Sequence, residues 1–322
     1  MRSGQITDVE VIRVPLRSKF RGVSFREALI FKGSERYAEF SPFLEYEDQE
    51  SSNWLRAAIE FANTGLSKPI RNKIEVNATL PAVTEDEIAG VLLPFGKFET
   101  VKIKVAEQGE ALVDDVARVF ATNKLFPRQK IRLDANGGYS VKQALELLQK
   151  LDGLPIEYFE QPVETIEQLV ELKSSMLAMG LNVKIAADES IRKASDPMLV
   201  AASGAADIAV LKVQPLGGIS SALEMSKQMA LEPVVSSALE TSLGISQGLF
   251  LASLLPSLDY ACGLGTVSLL AADIAKNPLI PVNGFLEVQE IELDQDAVRQ
   301  LRVDSARREF WHQRLDRCLN LL

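Results

Sequence analysis

Histidine occurs once in the 322-residue chain, as His312 in a polar, arginine-rich stretch near the C-terminus. A Ser-His-Asp triad or a histidine-rich metal site would have to be built on that one residue, which argues against both. Cysteine is nearly as scarce. Cys262 and Cys318 form no CxxC pair and no zinc spacing, and this usage fits a reducing cytoplasm better than a disulfide scaffold. The chain also lacks a long hydrophobic run: ISQGLFLASLLPSLDYACGLG is broken by Gln247, Pro256 and Asp259 within the length of a membrane span, and reads as a core helix leading into a strand. The opening MRSGQITDVEVIRV is charged every few residues without an apolar centre, so no signal peptide is expected. Basic runs are absent and the net charge is −9, which repels phosphate backbones and anionic lipid; nucleic acid and membrane are not expected partners.

What is present is ordinary globular material, 47% hydrophobic and 25% charged, enough for one large domain with a small companion. From residue 74 onward, short β-branched runs alternate with amphipathic helical runs at intervals of roughly 25 residues, the signature of βαβ units and a parallel sheet. The strands read as IEVNATLP, TVKIKV, KIRLDAN, IEYFEQP, VKIAADE, DIAVLKV, EPVVSSA and DYACGLG. Eight such units over about 210 residues predict a closed TIM-like barrel spanning 74–284. Residues 1–73 differ in texture, with ITDVEVIRVPLR, REALIFKG and RYAEFSP as antiparallel strands and a helix from about Ser51 to Asn63. They predict a separate α+β unit, to which the charged tail 285–322 returns with FLEVQEIEL as a strand and a short helical end.

VKIKV places Lys102 and Lys104 on one strand face, since alternate residues share a face. Such a KxK ordinarily looks at water. Other strand ends change that reading, because residues there face the active site of an α/β barrel. In order they are Lys102 and Lys104, Asp134 and Asn136, Glu160, Asp188 and Glu189, and Lys212, each closing an apolar run. A single carboxylate at a strand end is usually a cap or a satisfied turn residue. Asp134, Glu160 and Asp188 on consecutive strands would instead converge as three hard oxygen ligands suited to Mg²⁺. A lysine buried among other cations has a depressed pKa and serves as a base, and a second lysine across the pocket would steady developing negative charge.

These motifs resemble the enolase superfamily, and within it the muconate-lactonizing subgroup: KIK (102–104), LDAN (133–136), EYFEQP (157–162), AADES (186–190) and LKVQPLGG (211–218), with EFSPFLEYE (39–47) resembling that family's capping domain. The resemblance spans essentially the whole chain. It implies a (β/α)7β barrel with a cap formed by the N-terminal region and the C-terminal tail, Mg²⁺ held by Asp134, Glu160 and Asp188, and Lys104 and Lys212 as acid/base lysines on opposite faces. It argues against the mandelate racemase branch, whose base is a late histidine. SSALETSLG (236–244), with Ser236 and Ser237, and ACGLGT (261–266) most resemble members that dehydrate a succinyl-hydroxycyclohexadiene carboxylate on the way to menaquinone or phylloquinone, so a small carboxylate is the implied substrate.

A dipeptide epimerase would carry an acidic pair after the eighth strand, where GLG stands here. Gly263 and Gly265 are expected to leave backbone groups open to an anionic succinyl arm, or merely to relieve crowding at the rim. Racemisation of N-acylated amino acids or dipeptides is the alternative, since it needs the same two lysines. Arg132 shares the face of Asp134 and requires an anion, either a ligand carboxylate or the substrate. Asn136 and Glu189 are expected to orient ligands or Lys212, and Glu240 could act similarly or be structural. LRSKFRGVSF (16–25) is expected as a mobile loop closing over the site, with a solvated turn as the alternative. Nothing in the sequence indicates a homo-oligomer.

Overall fold

In the computed structural model, which describes residues 5–20, 22–193 and 197–322, the chain opens with a long antiparallel hairpin, β1 (Thr7–Phe20) and β2 (Val23–Lys32), to which β3 (Tyr37–Phe40) adds. The stretch expected as a mobile loop is therefore the end of this hairpin, carrying Phe20; Arg21 within it lies outside the described residues. Against the sheet packs α1 (Asp48–Asn63), which buries Trp54, Leu55, Ala58, Phe61 and Ala62 at helical spacing on one stripe.

The stretch IEVNATLP, expected as one strand, is two: β4 (Lys73–Glu75) and β5 (Ala78–Leu80). Between them Val76 N–H bonds to the Gly284 carbonyl and Asn77 N–H to the Cys262 carbonyl, so the chain changes partners within one extended run. Next come α2 (Ile88–Leu92), β6 (Thr100–Lys104), α3 (Leu112–Leu125), β7 (Lys130–Asp134), α4 (Val141–Lys150), β8 (Ile156–Glu160) and α5 (Ile166–Ala178). They are followed by β9 (Lys184–Ala187), α6 (Glu189–Arg192), α7 (Met198–Ala202), β10 (Ile208–Leu211), α8 (Ile219–Met229), β11 (Glu232–Val235) and α9 (Ser242–Leu254). Two of the intervening helices start on capping boxes, Ser140 with Gln143 and Thr165 with Gln168.

The seven strands β5 to β11 form one parallel sheet in chain order. The eighth position is not the regular strand expected of DYACGLG. Residues 261–263 close the ring by single bridges, Gly263 N–H to the Val235 carbonyl at 2.8 Å and Cys262 N–H to the Glu75 carbonyl at 2.7 Å, before a 3₁₀ turn begins at Gly265. Side chains alternate strictly. Val101, Ile103, Leu133, Phe159, Ile185 and Leu211 face outward into the helix layer, whereas Tyr158, Ala186, Ile208, Val210 and Val234 form a separate cluster inside the barrel.

The tail supplies β12 (Phe285–Glu287), α10 (Gln295–Leu301) and α11 (Ser305–Leu319). Of FLEVQEIEL only three residues are strand, pairing with β4, and the helical end is longer than expected because α11 alone runs 15 residues. This helix lies on the N-terminal unit: Trp311 Nε1 donates to Glu27 at 2.8 Å, and Arg314 donates to the carbonyls of Phe43 and Tyr46 and to Ser51. Among the described residues no helix is long and apolar enough to cross a membrane.

Candidate active site

The strict alternation along β6 sends Val101 and Ile103 outward and leaves Lys102 and Lys104 no direction but into the barrel, where both are only 6% exposed. The same parity aims Asp134 from β7, Glu160 from β8, and Asp188 and Lys212 from the residues just past β9 and β10 into that space, all buried. β6 and β10 stand four places apart in a ring of eight, so Lys104 and Lys212 approach from opposite sides. Both line a cavity of about 30 Å³ together with Thr79, Ser236, Ser237, Ala238, Leu239, Gly263 and Thr266. Phe20 and Phe43 of the N-terminal unit reach it from above, and the Lys104 ammonium lies 5.3 Å from the centre of the Phe20 ring.

Each buried carboxylate is matched by a cation of the chain. Lys104 Nζ sits 2.5 Å from Asp134 Oδ2 and 2.6 Å from Asn136 Oδ1. Lys102 Nζ bridges, 3.2 Å from Asp134 and 3.0 Å from both oxygens of Glu160. Lys212 Nζ is 2.5 Å from Asp188 Oδ2, and Arg192 Nε is 3.2 Å from Asp188 Oδ1. Among the described residues no three His, Cys, Asp or Glu side chains are arranged to hold a metal ion; Asp134, Glu160 and Asp188 line one chamber and are each paired with a lysine, as like charges in a low-dielectric chamber demand a nearby counter-charge.

The electrostatics follow. Burial works to raise the Asp134 carboxyl, but the Lys104 and Lys102 ammoniums overcome it and hold the group well below the usual carboxylate range. Asp188 is likewise held low by Lys212 and Arg192 against the effect of burial. Glu160 behaves oppositely: burial, then the neighbouring Asp134 charge, push it up to about 7 in spite of Lys102. Burial disfavours charge on Lys102 too, yet Glu160 and Asp134 prevail and its pKa rises. This reverses the depression expected of a lysine among cations, because the neighbours of Lys102 are carboxylates.

Asn136 turns out to position Lys104 rather than Lys212. Its Nδ2 donates to Glu189 Oε1 at 3.2 Å, and Glu189 receives Arg192 at 2.7 Å, so a chain of polar contacts links Lys104 to Asp188. Arg132 meets neither anion expected of it. Its Nε pairs with Glu157 at 2.7 Å, its Nη1 donates to Asn77 and the Ala261 carbonyl, and its guanidinium lies 4.6 Å from the Tyr158 ring centre, one layer below the carboxylates. Gly263 has no backbone group to spare, since its N–H bonds to Val235 and its carbonyl accepts from Ser237 Oγ at 2.6 Å. A Cβ there would lie 2.5 Å from Ser236 Oγ. Gly265 points away from the cavity toward the Asn77 carbonyl and Phe95. On the side of β11 and the eighth strand the cavity's polar groups are the hydroxyls of Ser236, Ser237 and Thr266.

Sequence reasoning passed over Arg192, Gln161, Thr79, Thr266, Phe20 and Phe43. Gln161 accepts the Asp188 and Ser190 N–H groups and donates to Ser190 Oγ, which fixes the Asp188 backbone. Arg192, four residues after Asp188 at helical spacing, carried a readable signal; the aromatic roof did not, because it comes from another unit.

Comparison with known proteins bears on the family and the fold. The model for enolase C-terminal domain-like proteins matches residues 87–296, and that for enolase N-terminal domain-like proteins matches residues 11–62. A protein of Thermobifida fusca (strain YX) named o-succinylbenzoate synthase is 43% identical over 303 residues, covering 94% of this chain and 93% of its own. One of the same name from Mycobacterium leprae (strain TN) is 45% identical over 316 residues, covering 98% and 92%. Among solved structures, the muconate lactonizing enzyme from Pseudomonas fluorescens superposes with a TM-score of 0.77 at 20% identity, covering 94% of this chain and all of that one. The L-Ala-D/L-Glu epimerase from Bacillus subtilis gives 0.75 at 23% identity, covering 91% and 98%. At those identities the structures speak for the fold.

Proposed function

Because the chain belongs to the enolase superfamily, we propose that it is an o-succinylbenzoate synthase, a Mg²⁺-dependent lyase that removes water from 2-succinyl-6-hydroxy-2,4-cyclohexadiene-1-carboxylate in menaquinone or phylloquinone biosynthesis. The observation that carries this reading is the pair Lys104 and Lys212, set on opposite sides of one cavity and tied together through buried carboxylates. A protein that only binds an anion has no use for opposed lysines; a reaction that removes a proton next to a carboxylate does.

Asp134, Glu160 and Asp188 fit a hard divalent cation in donor type and charge: all are buried carboxylates, and beyond the effect of burial the neighbouring Asp134 and Asp188 charges also raise Glu160, to about 7, so a cation among them would be favoured. Mg²⁺ held there would supply fixed positive charge for the substrate carboxylate. Lys104, aimed by Asn136 and Asp134, takes the α-proton. The electron pair left behind is held as an enediolate facing the Lys212 ammonium. Hydroxide then leaves from the same face, protonated by Lys104, so the proton and the hydroxyl depart as water and the ring becomes aromatic. Phe20, Phe43 and Leu239 keep bulk water from the reacting carbon.

Racemisation of an N-succinylamino acid is the second reading, favoured by the matching 2.5 Å contacts of Lys104 and Lys212 to their carboxylates, which make the two sides nearly equivalent. The two are separated by following the aromatic product spectroscopically and, in parallel, α-proton exchange of an N-succinylamino acid in D₂O. Dehydration that stops in excess chelator and returns with Mg²⁺ is the expected result. Exchange without dehydration would replace this reading by the racemase, and full dehydration in chelator would remove the metal from it.

A further inference from the structure

The cavity wall contributed by the β11–α9 loop is held in an unfavourable backbone conformation. Leu239, which lines the cavity, has φ +63°, a left-handed geometry that is strained for a non-glycine residue and persists only where the surroundings enforce it. Two carboxylates enforce it. On the near side Glu240 Oε2 accepts the Ala238 N–H at 2.6 Å. On the far side the enforcing group comes from the other unit: Glu39, on β3, extends a carboxylate whose Oε2 accepts Thr241 Oγ1 at 2.5 Å, Thr241 N–H at 3.2 Å and Gly244 N–H at 3.1 Å, while Oε1 accepts Ser41 Oγ at 2.6 Å. Glu39 is 1% exposed and completes the N-terminus of α9, where N–H groups have no partner within the helix. Gly244 makes this approach feasible, since a Cβ there would lie 2.4 Å from Glu240 Cβ and 3.0 Å from Glu39 Cδ.

We propose that Glu39 is a positioning residue for substrate binding, holding the wall Ser236–Leu239 in shape from the N-terminal unit. Seating that unit on the barrel and forming the pocket wall are then one event. The inference rests on reading the cavity as the substrate site. Burial, together with the nearby Glu240 charge, raises Glu39 to about 7 against the opposing effects of Ser41, Thr241 and Arg26. The neutral group is thus accepted at this position, and the oxygen that takes the α9 donors matters more than the charge.

The test compares Glu39→Ala, which removes the acceptor, with Glu39→Gln, which keeps an oxygen of the same reach. Glu60→Gln serves as control, because Glu60 accepts the Ser220 N–H at the start of α8 away from this wall. For dehydration, Glu39→Ala should raise KM about tenfold with kcat within about threefold of wild type, Glu39→Gln should restore KM to within about threefold, and Glu60→Gln should leave both unchanged. If the alanine variant does not fold, Thr241→Val, which removes the hydroxyl that donates to Glu39 and caps the Leu243 N–H, should raise KM about threefold. Unaltered KM, or a loss confined to kcat, overturns the proposal. Hydrogen exchange separates this failure from failure of the functional reading, since it needs no substrate: the Ala238 amide, which Glu39 does not touch, should exchange at least tenfold faster in Glu39→Ala. Unchanged protection of Ala238 would overturn the positioning role even in an active enzyme.

Discussion

An amine that takes a proton from carbon must reach its neutral form, whereas one that only steadies an anion must keep its charge. Arginine keeps charge and cannot lose it near neutral pH, so it separates the two duties. Lys104→Arg is expected to lower kcat by at least about 10³-fold, and Lys212→Arg by roughly tenfold less than that, measured as aromatisation under saturating substrate. Near wild-type turnover in Lys104→Arg would remove it as the base. Asp188 is tied to both Lys212 and Arg192. It is also one of the three carboxylates proposed to hold Mg²⁺, so Asp188→Asn should weaken Mg²⁺ binding about 10²-fold or more by calorimetry, with the fold retained in circular dichroism. At this scale the sequence showed which residues carry charge and which face they take, because parity along a strand is local. It did not show partners. Arg132 is the case in point: pairing of β7 with β8 runs from Ile131 with Ile156 to Arg132 with Tyr158, skipping Glu157. That irregularity turns the Glu157 carboxylate toward Arg132, and the register that produces it depends on two strands at once.

Strands β6 to β10 could be read from the sequence because each is a short run with a period of two ending in, or running directly into, a charged residue, and β11 because its EPVV runs into Ser236 and Ser237; each is bounded by a helix of different period. The eighth strand could not be read correctly, since DYACGLG has strand composition but only residues 261–263 reach both neighbours before the 3₁₀ turn. At 16–25 the sequence reads as a loop; β1 and β2 run into this end, but of the described residues within it only Phe20, Val23 and Phe25 pair across the hairpin, the register breaking between Pro15 and Phe20. Helix α9 shows how an element answers to its surroundings. It is buried along Ser242–Ser253 and so lacks an amphipathic stripe, and its first turn sits between Glu39 and Glu240. Gly244→Ala improves intrinsic helix propensity, which alone would stabilise by up to about 1 kcal/mol. Overpacking against the two glutamates should outweigh this, giving a net loss of about 1–3 kcal/mol in urea unfolding. A variant more stable than wild type would mean that the glutamates move aside at little cost and that the wall is loosely held.

On the scale of the molecule, the N-terminal unit touches the segment after each of three successive barrel strands. Tyr46 OH receives Arg192 after β9, Glu60 receives Ser220 N–H after β10, and Glu39 receives Thr241 and Gly244 after β11. Such ties were illegible in the sequence, because Glu39 and Thr241 are 202 positions apart and neither belongs to a motif that requires the other. Their chemistry predicts a pH dependence. Glu39 has an ordinary value of 4.5 and a folded value of about 7, set first by burial. A group whose folded pKa is raised contributes stability fully present below its unfolded pKa, and that contribution is lost as pH rises through the folded value. Between pH 4.5 and 7 the folded protein keeps a proton that the unfolded chain has released, and stability falls by about 3 kcal/mol over this window on account of Glu39. Glu160 adds a loss of the same sign in metal-free protein, its folded value also being about 7. Asp134 and Asp188, with lowered values, contribute stability that is lost only at more acid pH and so do not slope here. Glu39→Gln leaves the Glu160 contribution intact and abolishes its own. Urea unfolding in chelator at pH 5 and pH 7.5 should therefore show wild type losing about 2–3 kcal/mol more than Glu39→Gln across the interval. Parallel losses in the two proteins would mean that Glu39 is already ionised when folded, and that its charge, rather than a neutral oxygen, holds the N-terminus of α9.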